Sequence, residues 1–413
     1  MRKIFFTLAI LLTAVTITKA QWVSTGGPGG GIVNSLATTG STIFAGTMNG
    51  GVFLTTNNGV NWSVSGVTNY IVNALAPMSG FNIYAGTSDG GVYFSYDNGG
   101  SWNPVNNGLT NLNVQALAIN GVNLYAGTYN GGIFLLINNG SSWNPVNVGL
   151  TNLNVQTLAS SGTNVLAGTY SGGVFITTNS GLTWNSFNNG LTNLNVRCIH
   201  VNGSNIFAGT FGSGIFLSTN SGASWITVNN GMENLYIYDI TSSGQNVFAG
   251  TYSGVFFTSN NGASWVNKNL GFTPNLGIKS LLTTSEFIFA GSFQQSVWRR
   301  NLSDIIGIKQ ISSLIPSAYL LEQNYPNPFN PSTKIRYSLR RAGNVILRVF
   351  DALGRDIATL VNQKQSEGTY EATFDAASIS GGSLTRGSLT GGVYFYRLTT
   401  DEFSETKRMI LIK

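Results

Sequence analysis

Between residues 21 and 300 the chain carries only five carboxylates, Asp89, Asp97, Glu233, Asp239 and Glu286, against five cations, Arg197, Lys268, Lys279, Arg299 and Arg300. Glycoside hydrolysis of the common kind needs two facing carboxyl groups, roughly 5–10 Å apart. Glu233 and Asp239 form the one dyad the spacing allows. Asp97 and Glu286 belong to turns at the opposite end of their repeats, and Asp89 lies three repeats away. Arg197, Glu233, Asp239 and Lys279, with Tyr238 among them, are expected to converge on one sector. They form there either an internally satisfied set of ion pairs or a ligand site. His200 is the sole histidine and Cys198 the sole cysteine. That excludes a His-based metal cluster, a triad with a choice of base and a disulfide framework. Asn-rich turns offer carbonyl oxygens to calcium, but no acidic ligand loop accompanies them. The expectation is a protein that is not an enzyme and uses no cofactor or metal.

The elements that position these residues follow from a repeat. Ala-Gly-Thr or Ala-Gly-Ser recurs at Ala45, Ala85, Ala126, Ala167, Ala208, Ala249 and Ala290, at intervals of 41 residues after a first of 40. Tryptophans keep phase with it at Trp22, Trp62, Trp102, Trp143, Trp184, Trp225 and Trp265. A fixed period in this range means one supersecondary unit, each copy burying its neighbour's face. Within a copy, short apolar strands alternate with Asn-Gly turns, four strands to a repeat, which is the blade of a β-propeller. The last copy ends at Arg300 without its tryptophan strand, and Gln21-Trp22-Val23-Ser24 supplies one at the other end. Pairing the two gives an all-β fold with seven blades, its last blade shared between both ends of residues 21–300, and no exposed sheet edge.

Two columns of the repeat then fall at one rim. After each Ala-Gly-Thr/Ser stands Met48, Ser88, Tyr129, Tyr170, Phe211, Tyr252 or Phe293. These aromatics either pack the blade corners or offer a stacking surface to sugars or peptides. Near the start of the first strand the column reads Asn34, Asn73, Gln115, Gln156, Arg197, Tyr238 and Lys279, a polar ring expected to face the mouth of the central channel.

Ser95-Tyr-Asp97-Asn-Gly99-Gly-Ser-Trp102 resembles the Asp-box, S-x-D-x-G-x-x-W, of sialidases and related propellers. The other copies hold Asn57, Asn138, Asn179, Asn220 and Asn260 at the Asp position, where an amide carbonyl can still cap the turn. The resemblance implies a structural turn far from any active site, and the sevenfold repeat is similar to non-catalytic members. A sialidase would need three arginines around the substrate carboxylate, and the repeats hold only Arg197, Arg299 and Arg300.

The two ends read as addresses. Arg2-Lys3, the apolar run Ile4 to Ile17 and Thr18-Lys19-Ala20 have the form of a secretory signal over residues 1–20. The run is too short to span a bilayer, which takes about 20 residues, and no later segment is long and apolar enough. The net charge of +6 owes nothing to the balanced repeats, so a nucleic-acid surface is excluded. Residues 301–317 read as a linker and 318–413 as a small immunoglobulin-like β-sandwich.

Tyr325-Pro326-Asn327-Pro328-Phe329-Asn330-Pro331, Asp351-Ala-Leu-Gly-Arg355, Gly392-Val-Tyr-Phe-Tyr396 and the basic ending with Lys407 and Arg408 closely resemble the type A C-terminal sorting domain of type IX secretion cargo. The segment Ser378 to Gly392, with its doubled Gly-Ser-Leu-Thr, is longer than that family's usual connection. The resemblance implies recognition by the type IX machinery and delivery to the outside or the outer-membrane surface of a Gram-negative bacterium. The whole then reads as a secreted or surface binding scaffold for an extracellular glycan or protein. The alternatives are a polysaccharide-acting enzyme using Glu233 and Asp239, or a purely structural surface protein.

Overall fold

A computed structural model describes residues 21–137, 142–294, 296–376 and 389–412. Residues 1–20, where a secretory signal is expected, Asn138 and most of Ser378–Gly392 lie outside these. The described residues form nine four-stranded antiparallel sheets. Seven arise from residues 21–301. The first is built of Val33–Thr39, Thr42–Thr47, Val52–Thr55 and Ser63–Gly66, paired in sequence order, and the others repeat its plan. In the last of the seven, Val23–Ser24 pairs with Val297–Asn301, Val23 opposite Arg299. Each innermost strand abuts that of the next sheet, and Val33–Thr39 abuts Ile278–Thr283, so the circuit is continuous.

The repeated tripeptide is explained by this packing. Its alanines are fully buried. At the glycine, an added Cβ would lie 2.5 Å from Val155 at Gly127, 2.7 Å from Val196 at Gly168 and 2.7 Å from Val33 at Gly291. Only a missing side chain lets neighbouring sheets approach so closely. The threonine hydroxyl then closes the following hairpin, as Thr128 Oγ1 does on the Gly132 carbonyl at 2.9 Å.

The tryptophans staple sheet to sheet. Trp143, Trp184, Trp225 and Trp265 donate their indole N–H to the carbonyls of Val105, Val146, Phe187 and Val228 in the preceding repeat, at 2.6–2.8 Å. Trp22 does the same to Lys268 at 2.7 Å and stacks on Phe272. In the turn before Trp102, Ser95 Oγ donates to Asp97, whose Oδ1 accepts the Ser101 N–H at 2.9 Å. These bonds hold the Asp97 carboxyl down at about 2, with the Ser101 hydroxyl as the largest cause. Thr177-Asn179-Thr183 and Ser218-Asn220-Ser224 repeat the arrangement with an amide in its place.

The last two sheets enclose a separate core that includes Ile335, Tyr337, Val349, Tyr396 and Leu398. Within residues 301–317, expected as a linker, the first part carries regular structure, while 313–317 hold no helix or strand. A short helix, Leu302–Ile306, buries Leu302 and Ile305 against the sheet containing Ile278 and Ile288. The strand Ile308–Ser312 pairs with Gly368–Asp375 in the C-terminal unit. The physical reason is the apolar spacing of Leu302, Ile305, Ile306 and Ile308, which gives the segment faces to bury on both sides; Ile306 packs against both cores.

Candidate functional site

All seven innermost strands break register at one position. The shifts fall between Val33/Ser35, Val72/Ala74, Val114/Ala116, Val155/Thr157, Val196/Cys198, Ile237/Asp239 and Ile278/Ser280. The residue left over in each bulge is Asn34, Asn73, Gln115, Gln156, Arg197, Tyr238 or Lys279. A bulge re-aims its extra side chain, and these seven line a central cavity of about 250 Å³. The rest of the wall mixes mostly small residues, among them Ser35, Ala74, Cys198 and Asp239, with Leu36, Leu75, Leu117 and Leu158. The polar ring expected from the sequence is therefore present, and the bulge that points it inward left no mark in residue type.

Most of the ring is tied to its frame. Asn34 and Asn73 donate to the carbonyls of Val72 and Val114 in the next sheet, at 3.1 and 2.9 Å. Gln156 donates to Asn154 at 2.6 Å and accepts from Arg197 Nη1 at 3.0 Å. The Arg197 guanidinium lies 4.9 Å from the centre of the Phe211 ring, and its buried Nε has no hydrogen-bond partner. Lys279 Nζ stands 5.3 Å from the Tyr238 ring and 5.9 Å from Phe293. Burial, and then Arg197, push the Lys279 ammonium below its ordinary range.

Asp239 is not paired with these cations. Among the described residues no nitrogen–oxygen ion pair within 4.0 Å involves Asp239, Lys279 or Arg197. The Asp239 carboxylate accepts the Ile240 N–H at 2.9 Å and the Leu281 N–H of the neighbouring sheet at 2.7 Å. Burial pushes it up to about 7 against the pull of those amides and of Lys279. An internally satisfied ion-pair cluster is thus not what the residues form. Glu233 is exposed on a connection between sheets and does not line the cavity, so it neither joins the cluster nor faces Asp239 across it. Its position along the chain defines its sector but not its direction.

The rim aromatics stand out from the corners. Tyr129 and Tyr170 are each 48% exposed, Phe211 38% and Tyr252 58%. Their backbones are pinned near the mouth, since the Tyr129, Tyr170 and Phe211 N–H groups donate to Asn113, Asn154 and Asn195, just before the inner strands. Phe211 meets Tyr236 edge-on at 4.8 Å, and Tyr238 meets Phe293 likewise. Tyr236 and the exposed Leu112, Leu153 and Leu194 were not anticipated; the thrice-repeated Thr-Asn-Leu-Asn was the available signal.

In the C-terminal unit Tyr325 is 81% exposed, as are Pro326, Asn327, Pro328, Asn330 and Pro331 to varying degrees, while Phe329 is buried. Asn327 Oδ1 accepts the Ile410 N–H at 2.9 Å, and Phe329 exchanges backbone bonds with Ile410 and Ile412. The proline-rich motif therefore lies against the final strand that carries Lys407 and Arg408; Lys407 pairs with Glu405 at 3.2 Å.

Residues 323–413 match the secretion system C-terminal sorting domain. The chain thus carries the tail of type IX secretion cargo, which implies a secreted or outer-membrane surface location. No helix among the described residues is long and apolar enough to cross a membrane. No curated protein matches the sequence.

Similar solved structures include the extracellular domain of the hybrid two-component system BT3049 from B. thetaiotaomicron, at 14% identity and TM-score 0.58, covering 95% of this chain and 57% of that one. PorZ, a surface component of the type IX secretion system of Porphyromonas gingivalis, gives 15% and 0.57, covering 94% and 60%. YCF48 bound to D1 peptide gives 14% and 0.56, covering 70% and 98%. The chain thus spans under two thirds of the two bacterial structures. The likenesses define the fold, an all-β protein of propeller type.

Proposed function

We propose that this protein is a secreted or cell-surface binding scaffold: a seven-bladed propeller of the non-catalytic Asp-box kind, closed by its N-terminal strand, with an immunoglobulin-like sorting sandwich. Its ligand, a glycan or a protein segment, docks on the face where the channel opens. One observation carries the reading. Seven bulges aim seven polar side chains into one mouth, two of them cations without a carboxylate partner, inside a rim of exposed aromatic rings. Convergent polar groups in a concave site are what fix a ligand's orientation there.

The enzyme reading is disfavoured because Glu233 lies off the cavity and Asp239 already accepts two amides, leaving no facing pair of carboxyls. A purely structural role would suit a plugged channel and a flat face better than an open mouth. The test is a screen of the chain from Gln21 to Lys413 against glycan and peptide arrays. Selective, saturable binding is expected; uniform silence across both arrays contradicts the proposal.

A further inference from the structure

We infer that the channel mouth recognises an acidic sugar, a pyranose bearing a carboxylate or sulfate ester, with the anion between Arg197 and Lys279. The inference rests on the binding reading above and names its ligand class. Charge argues it first. Arg197 and Lys279 both line the one mouth, and burial first and their mutual repulsion second disfavour the charged Lys279, a cost that an entering anion would offset. The one acid present, Asp239, is turned to the Ile240 and Leu281 amides below. Whether Asp239 is ionised or protonated, the mouth keeps an excess of positive charge that an anion would neutralise. Among the described residues the buried Arg197 Nε has no hydrogen-bond partner, and Lys279 Nζ faces the Tyr238 and Phe293 rings with no carboxylate oxygen within 4.0 Å.

The walls argue for a sugar. Asn34, Asn73 and Gln115 have their amide N–H groups tied to the frame but keep side-chain carbonyl oxygens that suit sugar hydroxyls, and outside the cavity the exposed rings of Tyr129 and Tyr170 suit the apolar face of a pyranose. A cavity of about 250 Å³ admits one ring, with the rest of the ligand on the rim, since pockets for drug-sized molecules run roughly 300–1,000 Å³. A peptide C-terminus is served instead by a nest of free backbone amides. Here the Ile240 and Leu281 amides are already occupied.

The experiment presents the chain from Gln21 to Lys413 with neutral, carboxylated and sulfated oligosaccharides, their carboxyl-reduced or desulfated counterparts, and peptides with free or amidated C-termini. Lys279→Met and Tyr170→Ala follow by titration, each checked for an unchanged melt. Binding to the acidic sugar, abolished by reduction or desulfation and weakened about tenfold or more by Lys279→Met, is the expected result; which derivative binds distinguishes carboxylate from sulfate. Equal affinity for acidic and neutral forms overturns the inference and leaves the binding reading intact. Peptide binding without glycan binding does the same. Silence on every probe overturns both. The chemical pairs decide the matter even if a variant fails to fold.

Discussion

Asp239 and His200 sit on adjacent inner strands and titrate in opposite senses. Asp239 is raised to about 7 by burial, against the pull of the Ile240 and Leu281 amides and of the Lys279 charge. His200, whose Nε2 meets Ser242 Oγ at 2.8 Å, is lowered to about 4 by burial. Between pH 4 and 7 the folded state holds the Asp239 proton that the unfolded chain has released, so this group's contribution falls as pH rises. His200 behaves inversely: between pH 6.5 and 4 the unfolded chain takes up the proton, so its contribution is lost as pH falls. The two nearly cancel in the native protein. Urea unfolding followed by tryptophan fluorescence at pH 5, 6 and 7 is expected to show a shallow profile. Asp239→Asn should expose a positive slope with pH and His200→Gln a negative one. Parallel slopes in the two variants would contradict the assignment.

At the scale of the repeat, close approach and polar clamping predict particular costs. Gly127→Ala drives a methyl to 2.5 Å from Val155 and is expected to destabilise by about 1–3 kcal/mol, as overpacked cores do. Asn188 accepts the Val174 N–H at 2.8 Å and donates to the Gly172 carbonyl. Asn188→Ala strands that amide and should cost about 1–3 kcal/mol. Both are read from chemical denaturation, and a neutral effect would sink either argument. The Ala-Gly-Thr and tryptophan columns were legible because their period exposes them. The asparagine clamp, shared by Asn106, Asn147, Asn188, Asn229 and Asn269, was not, because asparagine also fills the adjoining turns. The mouth ring was legible as a polar column between apolar ones. Its bulges were not, since they are backbone irregularities that any side chain tolerates.

The whole molecule depends on closing its circuit. Trp22 is buried, bonded to Lys268 and stacked on Phe272 at 4.6 Å. Trp22→Ala is expected to cost about 3–5 kcal/mol and, by opening the edge of Val297–Asn301, to promote self-association. Light scattering and thermal melts read both, and a monomeric variant of native stability would contradict the closure. The helix within the expected linker was not legible in the sequence because it is only one turn long, too short for periodicity to register.

The central claim is that the channel mouth is a binding site. Calorimetric titration of the array-selected ligand into the native chain and into Arg197→Ala/Lys279→Ala, each confirmed to melt alike, tests it most directly. Saturable binding by the native chain that disappears in the double variant is the predicted result. Equal binding by both would place the ligand elsewhere and reduce the cationic mouth to a feature of the fold.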